Sequence, residues 1–314
     1  MIRKDEGTPR GGVRRRTLVV STAAVAMLAA LAITSSAMAA PKGIFSVFAQ
    51  CPTSTKGVTL CQFGQTTSGE FVLGKTKVPI NKTITLQGGA IETGKSLNEY
   101  YLVPAKNGES LSKTELNVPG GLTNLVNCEE IKGKGFFETL ERAACKAIFE
   151  NKTTGVTATT EIVATETNPA ILNVTNLFFE SGTAITLPVR VHLKNPLLGS
   201  SCYVGSASSP IQLHLTTGTT APELPNKPIK GKAGTLFVEE EKGYEVDGFK
   251  ENSLVDNSFS APVAEGCGEF FSFLIDPILD AKIGLPSKDG YNTAILNGTL
   301  KTAEASSVIA SEKF

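Results

Sequence analysis

Within ITLPVRVHL, residues 185–193, apolar and polar side chains alternate, which puts Leu187, Val189, Val191 and Leu193 on one face of a strand and Arg190 and His192 on the other. IQLHLTT repeats the pattern, with Ile211, Leu213 and Leu215 facing inward and His214 outward. Shorter β-rich runs fill the stretch before residue 119: VTLCQF, EFVLG, TITLQ, YYLVP and TELNV, separated by TTSGE, QGG, NGES and PGG. GVTATTEIVA and ILNVTNLFFE resume the pattern from Gly155. GTLFVEEE and GYEVDGF read as a hairpin turning at Lys242-Gly243, and SLVDNSFSAP, EFFSFLI and NTAILNGTL as further strands. Many short strands, each with one wet and one buried face, predict a mainly β, antiparallel, sandwich-like fold. Pro188 points to an edge position for its strand, and the Pro-rich stretch TAPELPNKP (220–228) to a loop.

Two segments break the period of two. In FFETLERAACKAIF, Phe136, Phe137, Leu140, Ala144 and Ile148, with Cys145 beside them, share one helical face, while Glu138, Glu141, Arg142 and Lys146 take the other. This predicts one inserted amphipathic helix lying over the sheet. DPILDAKIGL predicts a short C-terminal helix, with Asp276 as its cap and Pro277 in its first turn. TAEASSVIASEKF has no strong pattern, which leaves a terminal helix or a loose tail. The β-rich region, 40–314, is open to a division near residue 150: a smaller β region with the helix (40–150), a larger sandwich (151–302) and a tail (303–314).

The first 39 residues have a different character. A basic segment ending in Arg14, Arg15 and Arg16 precedes the uncharged run 17–33, and Ala37-Met38-Ala39 follows. Basic, apolar and small-residue regions in that order read as a secretory signal peptide cut between Ala39 and Ala40. Arg15-Arg16-Thr17-Leu18-Val19 also fits a twin-arginine signal, so the export route stays open. No later apolar run is long enough to span a bilayer, so no transmembrane segment is expected after cleavage.

Charge narrows the partners. Thirty Lys and Arg balance thirty Asp and Glu, and the basic residues cluster in the leader. The remainder is mildly acidic and offers no footprint for nucleic acid. An envelope component or another extracellular protein is the partner class left open. Six cysteines lie beyond the leader: Cys51, Cys61, Cys128, Cys145, Cys202 and Cys267. In an exported chain an even number predicts disulfides. Of fifteen possible pairings, locality favours Cys51–Cys61, Cys128–Cys145 and Cys202–Cys267. Cys202, set among glycines and serines, also has the look of a nucleophile. Such a cysteine needs an activating base, and the chain holds only two histidines, His192 and His214, both in strand-like stretches.

No other motif carries chemistry. A surface His pair leaves a tetrahedral metal site half built, and Asp276 and Asp280, four apart, read as helix residues rather than a glycosidase pair. Neither a serine elbow nor a phosphate loop occurs. Asn81, Asn151, Asn173 and Asn297 head N-x-T triplets, glycosylation acceptors only in a eukaryotic secretory pathway. The expectation is therefore no cofactor, no metal and no catalytic residue. FAQCP, GQTTSGEFVLGKTKVPINKTITLQGG, LNVPGGL, NPLLGSSCYVGSASSPIQLHLTTGTT and LVDNSFSAP together resemble a group of secreted actinobacterial proteins of unknown function. That resemblance implies bacterial export and no particular activity. The leading expectation is a non-catalytic extracellular or envelope-associated protein acting through its surface. Next comes a small-ligand or lipid binder, which would need Phe136, Phe137, Phe178 and Phe179 around a hollow. A secreted hydrolase comes third, and would need Asp276 and Asp280 beside His192 or His214.

Overall fold

A computed structural model describes residues 40–121 and 155–314, and between them positions 133, 135, 138–140, 142 and 143. Fourteen strands are arranged as one antiparallel sheet. The first five are β1 (Leu60–Leu73), β2 (Thr76–Ile80), β3 (Ile84–Glu92), β4 (Glu99–Val103) and β5 (Leu116–Val118). Then come β6 (Val156–Ile162), β7 (Ile171–Asn173), β8 (Ile185–Lys194), β9 (Tyr203–Val204) and β10 (Ile211–Leu215). The last four are β11 (Thr235–Glu241), β12 (Tyr244–Asp256), β13 (Ala264–Glu265) and β14 (Thr293–Glu304). Short helices among the described residues include α1 (Val174–Phe178), α2 (Ser272–Ile283) and α3 (Ala305–Ser311).

The main path of the sheet runs β11-β12-β14-β1-β3-β4-β7-β8-β6-β5. Its two halves fold toward each other, so that Leu187, Val189 and Leu213 of β8 and β10 share one core with Leu254, Ala294 and Leu300 of β12 and β14. Bridges Thr216–Val255 and Lys232–Ser253 tie the halves together along one side. The sandwich-like fold expected from the alternation is thus made by a single bent sheet. Its inward set is as predicted: Leu187, Val189, Val191, Leu193, Ile211, Leu213 and Leu215 are all buried. The β11–β12 hairpin turns at Lys242-Gly243 with φ of 54° and 79°, the pair of positive values that a two-residue hairpin demands.

A second, smaller core gathers Phe45, Phe48, Val246, Ala305 and Val308 around the Cys51–Cys61 disulfide. Here the last residues of the chain form α3 and lie against the turn at 43–48, with Lys42 Nζ donating to the Phe314 carbonyl at 2.5 Å. Tertiary contact fixes this helix, whose own pattern is too weak to announce it.

Several expectations are corrected. VTLCQF and EFVLG are one strand, β1, because TTSG forms a bulge between Thr66 and Ser68 instead of a turn. In ILNVTNLFFE only the first three residues are extended; Asn173 then caps α1, its side chain accepting from Asn176 N. EFFSFLI is helical: a 3-10 turn over 269–271 leads into α2, which therefore starts before Asp276 and holds Pro277 inside. Pro188 is not on an edge strand, since β8 has neighbours on both sides. On one side β7 pairs only as far as Thr186 and β6 begins at Val189, so the missing N–H of Pro188 faces the gap between them. Of the expected amphipathic helix, 138–140, 142 and 143 are helical; Leu140, assigned to its buried face, is 56% exposed. Phe136, Phe137, Ala144 and Ile148 lie outside the described residues, as do Cys128, Cys145 and the whole segment 1–39, Ala39 included; Ala40 is exposed.

Candidate ligand cavity

The inward alternation of β6 and β8 brings Val156, Ala158 and Thr160 alongside Val191 and Leu193. The β1–β2 hairpin faces them with Phe71, Leu73 and Val78, and α2 spans the opening with Leu279 and Ile283. These surfaces do not meet. They enclose a cleft of about 630 Å³ whose described walls are mainly apolar, within the usual range for a small-molecule site. Protein interiors are otherwise packed to crystal density, so a hollow of this size is a feature of the fold. Beyond Phe71, Leu116 and Thr160, which line both spaces, a second, separate apolar hollow of about 100 Å³ lies between the sheet halves, bounded by Leu86, Leu213, Leu254 and Leu296.

Three cations stand on the wall of the larger cleft: Lys75, Lys77 and Lys282. Lys77 is paired with Glu70 at 2.5 Å. Neither Lys75 nor Lys282 has an ion pair among the described residues. Lys75 is exposed and Lys282 half-buried, as suits long cationic side chains whose heads stay in water.

The roof of the cleft is held by the two aspartates of α2. Asp276 accepts from Gly266 N (3.1 Å) and Cys267 N (2.8 Å), and Asp280 accepts from Ala264 N (2.7 Å). Burial pushes the Asp280 carboxyl above the usual range, opposed by the Ala264 N–H. The Cys202–Cys267 disulfide anchors the same segment to the start of β9, so Cys202 has no thiol to offer as a nucleophile. At its far end α2 stops at Gly284 (φ 84°), and Lys75 N donates to the Ile283 carbonyl, joining helix to hairpin.

His214 is exposed and faces Thr186 across the β8–β10 pair. His192 lies six positions farther along β8, opposite Thr159 and Tyr203, and its side chain is only 14% exposed because it stacks on the Tyr203 ring at 4.3 Å. The Arg190 guanidinium lies 4.0 Å from the same ring and is paired with Glu161 at 2.7 Å. The fold therefore does not bring Asp276 and Asp280 together with either histidine. Among the described residues no three His, Cys, Asp or Glu gather as metal ligands. Phe178 and Phe179 are exposed and do not line the cleft; a different set of residues, spread over seven elements, makes it.

One apolar surface stands apart. Phe270, Phe271 and Phe273, at the start of α2, are 93%, 56% and 78% exposed. No helix among the described residues is long and apolar enough to cross a membrane, and the two disulfides suggest an oxidising, extracellular setting. No family model, curated protein or solved structure matches the chain.

Proposed function

We propose that the chain is exported and serves, outside the cytoplasm or at the cell envelope, as a non-catalytic β protein that holds a small apolar or lipid-like ligand in the cleft between the sheet and α2. The cleft itself carries this reading: about 630 Å³ of apolar space under a helix pinned by a disulfide and two aspartates. Export is supported by the leader pattern, the disulfides and the resemblance to secreted actinobacterial proteins. A second reading, in which the protein acts through its surface on an apolar envelope component, is favoured by the exposed Phe270, Phe271 and Phe273.

One titration separates the two. A neutral fluorescent probe such as aminoanthracene is expected to bind once per chain. Ala158→Phe fills the cleft from β6 and should reduce binding at least tenfold, with far-UV circular dichroism unchanged. Phe270→Ser combined with Phe273→Ser should leave binding intact. Loss in the second variant with none in the first would transfer the site to the surface patch.

A further inference from the structure

We infer that the ligand is an elongated amphiphile with an anionic head, the head at Lys75 and Lys282 and the chain running past Phe71 and Thr160 into the second hollow. This rests on the reading that the cleft binds a ligand, and it adds the ligand's charge, polarity and length. Two observations carry it independently. The first is charge: a mainly apolar cleft carries cations where the β1–β2 hairpin meets α2, and Glu70, the acid bonded to this group, serves only Lys77. Lys75 and Lys282 have no acidic partner among the described residues, so an anion supplies what the wall lacks. The second is shape: Phe71, Leu116 and Thr160 line both hollows, so a second apolar hollow lies directly behind the cleft, between the sheet halves, with these three side chains at the boundary. A compact apolar molecule would leave the inner hollow empty, whereas an alkyl chain reaches it.

The test uses the full chain and matched straight-chain ligands, with dissociation constants from calorimetry. Dodecanoate should bind about tenfold more tightly than dodecanol, the difference two half-exposed ion pairs supply. Lys75→Met with Lys282→Met should erase that preference, so that dodecanoate binds no more tightly than dodecanol. Dodecyl phosphate is the companion probe: binding tighter than dodecanoate assigns a phosphate head, weaker binding a carboxylate, and either supports the anionic head. Equal affinity for acid and alcohol in the unmodified chain overturns the head assignment while the cleft reading stands. If no ligand binds, the cleft reading itself falls.

Length is tested separately. From octanoate upward, affinity should rise about fourfold per methylene. Leu213→Phe, which blocks the inner hollow, should end that rise at a shorter chain and spare octanoate. Leu86→Phe, at a half-buried wall position, provides the same block should Leu213→Phe misfold. A block that weakens octanoate and tetradecanoate equally, or weakens neither, contradicts the threaded chain.

Discussion

His192 shows how a single side chain departs from its strand's alternation. Arg190 and His192 both leave the core face of β8, yet Tyr203 from the adjoining β9 covers them, one ring serving the guanidinium and the imidazole together. Burial pulls the imidazole below its ordinary value of 6.5, opposed by Glu161 and assisted by Lys194 and Arg190. With the folded value lowered, the unfolded chain binds this proton first as pH falls. Stability contributed at His192 is therefore complete above pH 6.5 and is lost as the pH drops through the lowered value. His192→Gln should remove that part of the acid-side decline, seen as a flatter melting temperature against pH between 7 and 5; an unchanged slope would refute the assignment. Asp256 works in the opposite sense. Burial raises it above 3.8, against hydrogen bonds from His214 N and Ser258 N, so its contribution falls as pH rises through the raised value. Comparing variant with parent isolates the histidine from this background.

Among the elements, β1 and α2 show what a linear pattern conveys and what it conceals. The strands of residues 185–215 were legible because alternation reports directly which side chains share a face. TTSG in β1 reads as a turn because its residues favour one, but here the chain continues through a bulge, with β12 carrying its own irregularity between Lys250 and Asn252. Gly298 of β14 lies between the two. A Cβ there would stand 1.7 Å from the Gln65 carbonyl oxygen, so only glycine allows this approach. Gly298→Ala should cost about 3 kcal/mol or more, as for overpacking against rigid backbone, and lower the denaturant midpoint. Gly155→Ala, whose added methyl meets nothing within 4 Å, should stay within about 0.5 kcal/mol and serves as the control. Helix α2 was misplaced for a related reason. Asp276-Pro277 has the form of a helix start, but both carboxylates of α2 bind backbone N–H groups of 264–267, and that anchorage lets the helix begin a turn earlier.

For the molecule as a whole, the sheet bends so that its halves share a core at one end and diverge toward α2, leaving a cleft where a uniform sandwich would be packed solid. Nothing in the alternation announces this. It identifies Val191 and Leu193 as inward residues without stating how far away the opposite wall stands. The aromatic pair Phe178–Phe179 appeared the better sign of a hollow and is instead exposed. The small Ala158 and the arrival of the lysine-bearing 74–77 turn opposite it become meaningful only once the arrangement of seven elements is known. The most direct test is methyl NMR of the full chain, labelled at Ile, Leu and Val, during titration with dodecanoate. The account predicts saturable shifts at Val191, Leu193, Leu279 and Ile283, with Leu213 and Leu254 following for longer chains. Shifts confined to residues beside Phe270 and Phe273, or scattered without saturation, would contradict it.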